Sequence, residues 1–183
     1  MTMRLQSFAR LYRTSSLRIL FIICFCLFPW TPALSATPIE NDPKGFFGSL
    51  WGHPLKDRSD LKQIDSLHSL QIYTIKLGPP QLGSIELESV KLYTIDGKYV
   101  RALFHYEGEA IHNSLLEYLA NEFGKSNDPY GSMSRGLSLP YTWRGPETEI
   151  TLTYHGFRDQ GILAVESRIY APLLLDSLSG GTL

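Results

Sequence analysis

Hydrophobic positions recur along this chain with two different periods. From Ile111 an apolar residue returns every four positions, at Leu115, Leu119 and Phe123, and Leu116 and Ala120 widen the stripe. That spacing puts them on one side of an α-helix. Gly124 follows where a left-handed capping residue belongs, with Lys125 just beyond. On both sides of this helix the period drops to two. Thr148 to His155 alternates, with Ile150, Leu152 and Tyr154 inward and Glu149, Thr151 and Thr153 outward. Ser89–Ile95 and Lys98–Glu107 are β-rich runs that meet at Asp96-Gly97. Asp-Gly between such runs predicts a hairpin, because a type I′ turn needs positive φ at both central residues.

Weaker patterns complete the reading. Gln71–Leu77 is β-rich and stops at Gly78-Pro79-Pro80, and Tyr141–Arg144 and Ile162–Tyr170 predict further strands. The apolar phase shifts between Leu87 and Val90, where a bulge would put both on one face. Asp60 can cap a short helix with Gln63 three residues on, and Leu61, Ile64 and Leu67 would share its inner face. Gly45–Leu55 is aromatic but too rich in glycine for a helix, and Ser126–Ser138 and Gly156–Gly161 have loop composition. Strands, then a helix, then strands predict an α+β fold in two layers. The expected sheet is antiparallel with about five to six strands, and the main helix and a short second helix cover one face, leaving the other to water.

The N-terminus changes where this fold starts. Arg4, Arg10, Arg13 and Arg18 stand in a stretch without an acid, followed by the apolar run Ile19–Phe28 and then Ala33-Leu34-Ser35-Ala36. A basic region, a short apolar run and a small-residue exit make a secretory signal peptide, here residues 1–36. The run is about half the roughly 20 residues that a spanning helix needs. Residues 37–44 then read as a flexible leader, 45–172 as a single domain and 173–183 as a C-terminal tail. Both cysteines, Cys24 and Cys26, lie in the apolar run, preceded by Ile23 and Phe25 rather than by the small residue of a lipidation site. The mature domain is therefore expected to be cysteine-free and without a lipid anchor, stabilised by its core alone, which suits a bacterial periplasm.

Charge narrows the partners. The chain has 17 basic and 18 acidic residues; removing the four arginines of the signal leaves 13 against 18, a net charge near −5. Such a surface does not displace the counterions of nucleic acid or adhere to anionic lipid.

Candidate chemistry is sparse. Ser59-Asp60-Leu61-Lys62 spells S-x-x-K, but no K-T-G or S-D-N accompanies it. Ser132–Gly136 is half of a nucleophile elbow, lacking its first glycine. His53, His68, His105, His112 and His155 have no metal-ligand spacing, and Glu109 with His112 reads as an ordinary helix pair. No catalytic residue, metal or cofactor is assigned. The aromatics are the richer feature. Most of them belong in a core that has no disulfides, and an exposed remainder at Trp143-Arg144 or at Phe46, Phe47 and Trp51 is the candidate interaction surface.

Trp51-Gly52, the helix ending Phe123-Gly124 and Trp143-x-Gly145 before Glu149-Ile150 carry a resemblance. The chain resembles small exported bacterial domains of unassigned function, often lipoproteins, over about Phe46 to Tyr170, although the lipidation cysteine is missing here. The layout is also distantly similar to β-lactamase-inhibitor and outer-membrane-assembly lipoprotein folds, which implies protein binding. The expected function is that of a non-catalytic periplasmic binding domain with an envelope protein as partner. A small hydrolase with a site assembled from separated residues, or a small-ligand carrier with an enclosed apolar cavity, are the alternatives.

Overall fold

The computed structural model describes residues 37–126 and 140–174. The segment expected to be a signal peptide, nearly all of the expected loop Ser126–Ser138 with its serine motif, and residues 175–183 of the expected tail 173–183 lie outside the described residues.

Among the described residues twelve strands and one main helix follow in order: β1 (Thr37–Pro38), β2 (Gly45–Phe46), β3 (Ser49–Leu50), β4 (Leu61–Leu67), β5 (Leu70–Ile75), β6 (Gln81–Leu82), β7 (Ile85–Glu86), β8 (Ser89–Ile95), β9 (Lys98–Glu107), α1 (Glu109–Phe123), β10 (Tyr141–Arg144), β11 (Thr148–His155) and β12 (Gln160–Ser167). The main sheet has the order β1-β10-β11-β12-β9-β8-β5-β4. All of its pairs are antiparallel except β1 with β10. The chain is thus mostly β, with a main helix and a short helical turn at 171–174. Seven strands of four residues or more, plus two-residue β1, exceed the five to six expected.

The additional strand is the segment expected to be a helix. Leu61, Ile64 and Leu67 are spaced by three, yet β4 pairs with β5 from Leu61↔Ile75 to Leu67↔Leu70. The register jumps between Gln63 and Asp65, so Ile64 is an inserted residue. A bulge adds one residue to a period of two and imitates a helical spacing. His68, at φ 53, and Ser69 close the hairpin. As an edge strand, β4 has its pairing potential blunted by that bulge and by Lys62 and Asp65.

The Asp96-Gly97 hairpin forms as the sequence predicts, with φ 50 and 75 at its central residues and Ile95 opposite Lys98. The bulge is not at Leu87–Val90. Tyr93 pairs with Arg101 and Thr94 with Tyr99, so Val100 is the inserted residue. Two consecutive side chains are buried as a result: Tyr99 enters the main core, and Val100 joins Leu70, Ile95 and Leu174 in a second, smaller cluster. Leu87 and Val90 are both buried without a bulge, because Leu87 precedes β8 and donates its N–H to the Pro80 carbonyl.

The main core lies between the sheet and α1, which contributes Leu115, Leu119 and Phe123. Gly124 ends the helix at φ 92 and ψ 161, an extended glycine conformation rather than the left-handed cap expected. Its carbonyl accepts the indole N–H of Trp143 at 2.8 Å.

Residues 37–44, expected as a flexible leader, act as a strap. Pro38 and Thr37 pair with β10, Ile39 is buried, and the Glu40 N–H bonds the Phe123 carbonyl. The Asp42 carboxylate accepts the N–H groups of Glu147 and Thr148 at 2.6 and 3.1 Å. A Cβ at Gly145 would stand 2.3 Å from that carboxylate, so only glycine fits beside it. The composition is polar and proline-containing, but its polar groups complete the β10–β11 turn instead of facing water.

Candidate functional site

The expected interaction residues divide between core and surface. Trp143 is fully buried. Trp51 is buried against Tyr99, with ring centroids 4.7 Å apart, and donates its indole N–H to Thr148 Oγ1 at 2.8 Å. Phe46 and Phe47 pack edge-on against Phe104 at 6.0 and 5.3 Å. Arg58 holds that corner by donating to the Phe47 carbonyl and to Ser49 Oγ, and pairs with Asp60. Trp51 and Trp143 thus belong to the core, and Phe46 and Phe47 are half-buried against it. Their glycine-rich setting suggests exposure, but a domain of this size draws its stability from such rings. Arg144 alone of the five is exposed, and its guanidinium grips Glu149 at 2.6 and 2.9 Å.

The surface that remains is the sheet face opposite α1. Strand alternation sends Thr142, Thr151, Thr153, Leu103, Ile162 and Ala164 to this side, all half-buried. The registers arrange them in rows: Thr142, Thr151, Ala164, Leu103 and Lys91 form one, Thr153, Ile162, His105 and Ser89 the next. Toward the strap a charged row, Arg144, Glu149, Glu166 and Arg101, is internally neutralised by two ion pairs. Beyond it the second core cluster, with Leu173 and Leu174, packs on Ile72 and Tyr93. The face is therefore a band of small and apolar side chains, bounded by a compensated charge row and a hydrophobic clasp.

At the far end the band opens into a groove of about 420 Å³ lined by Lys91, His105, His155 and Arg158 among others. Lys91, His105 and the pair His155 and Arg158 are far apart in the chain, and no spacing links the three. Only the pairing of β8, β9, β12 and β11 brings them together.

On the helix side lies a buried polar cluster. The Tyr106 phenol is 2.7 Å from His112 Nδ1 and 3.1 Å from the Thr153 carbonyl. With the imidazole proton on Nδ1, His112 donates to the phenol oxygen and the phenol donates on to Thr153, satisfying all three groups. His112 stacks on Tyr154 at 4.9 Å, and burial lowers its pKa against the opposing pull of Glu109. Burial pushes the Tyr106 phenol well above its usual range, and the hydrogen bond to Asp159 raises Tyr154 to about 12. Both shifts favour neutral phenols, and the hydrogen bonds of the cluster tie α1, β9 and β11 together. The described residues hold no group of three or more metal-ligating side chains.

The S-x-x-K motif also dissolves in the fold. Lys62 lies on β4 rather than one helical turn from a serine, and the Ser59 carbonyl accepts the ammonium of Lys76 at 2.6 Å. Among the described residues no helix is long and apolar enough to cross a membrane. No family model, curated protein or solved structure matches the chain.

Proposed function

We propose that this chain is an exported, non-catalytic binding domain of the bacterial periplasm. In this reading the helix side of its two-layer α+β fold is structural, and the open sheet face takes up an envelope protein. The observation that carries the reading is that open face. Threonines, Ala164, Leu103 and Ile162 form a continuous half-buried band on paired strands, and its charged border is already neutralised by its own ion pairs. A band of small and apolar side chains with a paired charged rim has the make-up of an interface core and its border. The basic and apolar N-terminal segment supports export, and the resemblance to small exported domains points the same way.

Site-specific photo-cross-linking in the native envelope tests this. A cross-linker at Leu103 or Thr151 should trap one dominant protein, while the same group at Glu117, exposed on α1, should trap none. Equal capture from both faces, or none from the sheet face, overturns the reading.

A further inference from the structure

The groove at the end of the open face carries free positive charge in a chain with slightly more acids than bases. Among the described arginines, Arg58 pairs with Asp60, Arg101 with Glu166 and Arg144 with Glu149, while Arg168 donates to the Gly145 carbonyl. Arg158 has no ion pair or side-chain hydrogen bond among the described residues. Its neighbour Asp159 makes no ion pair with it; that carboxylate keeps its charge but accepts the Tyr154 hydroxyl at 2.5 Å. Lys91, from β8, is likewise without an ion pair among the described residues. Both cations line the same groove with the imidazoles of His105 and His155, and Glu88 is the carboxylate set against them.

We propose that this groove binds the oxyanion group of a ligand, phosphate or carboxylate. Arg158 presents a planar fork of N–H donors and Lys91 a point charge, the pairing that suits such a group. The Ser89 hydroxyl and Gln160 amide add neutral hydrogen-bonding groups, and Ile162 supplies an apolar floor for the carbon part of the ligand. The inference goes beyond the protein-partner reading and fails separately from it. A chain that captures its partner through Leu103 but ignores anions loses only this site.

The test is a titration of the purified protein, followed by amide NMR, with inorganic phosphate and separately with acetate at neutral pH. Saturable shifts confined to His105, Gly161 and the Gly156–Gln160 turn are expected. Arg158→Gln and Lys91→Gln should each weaken binding about tenfold without lowering Tm, whereas Lys62→Gln on exposed β4 should leave it unchanged. Tighter phosphate binding identifies a phosphoryl-bearing ligand and tighter acetate binding a carboxyl-bearing one. Shifts that never saturate and spread over all exposed lysines, or an Arg158→Gln variant that binds like the parent, overturn the proposal.

Discussion

Replacing Thr148 by valine tests how the N-terminal strap is held. Thr148 is fully buried, and its hydroxyl bridges two segments: it accepts the Trp51 indole N–H at 2.8 Å and donates to the Pro43 carbonyl at 2.5 Å. Valine keeps the shape and removes both bonds. The indole N–H is left buried without an acceptor, at a cost of about 1–3 kcal/mol. Pro43 is half-buried, so its carbonyl can turn toward water and loses only about 0.5–1 kcal/mol. The added methyl returns about 0.8 kcal/mol. The net loss is about 2 kcal/mol, or roughly 6 °C in Tm for a domain of this length. Thermal unfolding followed by circular dichroism measures it. The same substitution at Thr151, half-buried on the open face, serves as the control and should stay within about 0.5 kcal/mol of the parent. Equal shifts for the two variants would refute the reasoning, because they would mean that the strap contact adds nothing beyond a generic loss of a hydroxyl.

Three further outcomes follow from the same contacts. A Cβ at Gly161 would stand 2.0 Å from Tyr106 Cζ, so Gly161→Ala should cost about 3 kcal/mol in urea unfolding, and less than half of that in a Tyr106→Ala background. The pKa of His112 is lowered by burial, so at acidic pH the unfolded chain binds the proton that the folded one resists. Stability is then full above the ordinary histidine pKa and is lost as pH falls below it, and His112→Gln should flatten that slope between about pH 7 and 5. Asp42→Ala removes the acceptor of the Glu147 and Thr148 N–H groups and should cost about 2–3 kcal/mol, read as a lower urea midpoint at unchanged m-value.

Where one face of an element is buried and its period is regular, the sequence carries the structure. The stripe of α1, the alternation of β11 and the Asp96-Gly97 turn are all set by contacts within a few residues, and they appear as read. Bulges defeat the same logic. Ile64 turns a strand into an apparent helical period, and Val100 buries two consecutive residues in different clusters, neither of which local spacing can reveal. The strap is hidden for another reason: Asp42 and Pro43 look like solvated residues until the β10–β11 turn and Thr148 supply their partners, more than a hundred positions away. Trp51 and Trp143 are legible as aromatic anchors but not as buried ones, because the acceptors of their N–H groups, Thr148 Oγ1 and the Gly124 carbonyl, are tertiary. The open face depends wholly on strand order. Lys91, Leu103, Thr151 and Ala164 share a row only because β8, β9, β12 and β11 lie side by side.

The measurement that bears most directly on the binding-face account is capture of the envelope partner by two surface variants of equal stability. Leu103→Arg places a charge in the middle of the apolar band, and Glu117→Arg changes charge on the helix side. The account expects Leu103→Arg to abolish capture with Tm within a few degrees of the parent, and Glu117→Arg to bind as the parent does. Capture that survives in the first variant and is lost in the second would move the binding surface to the helix and contradict the account.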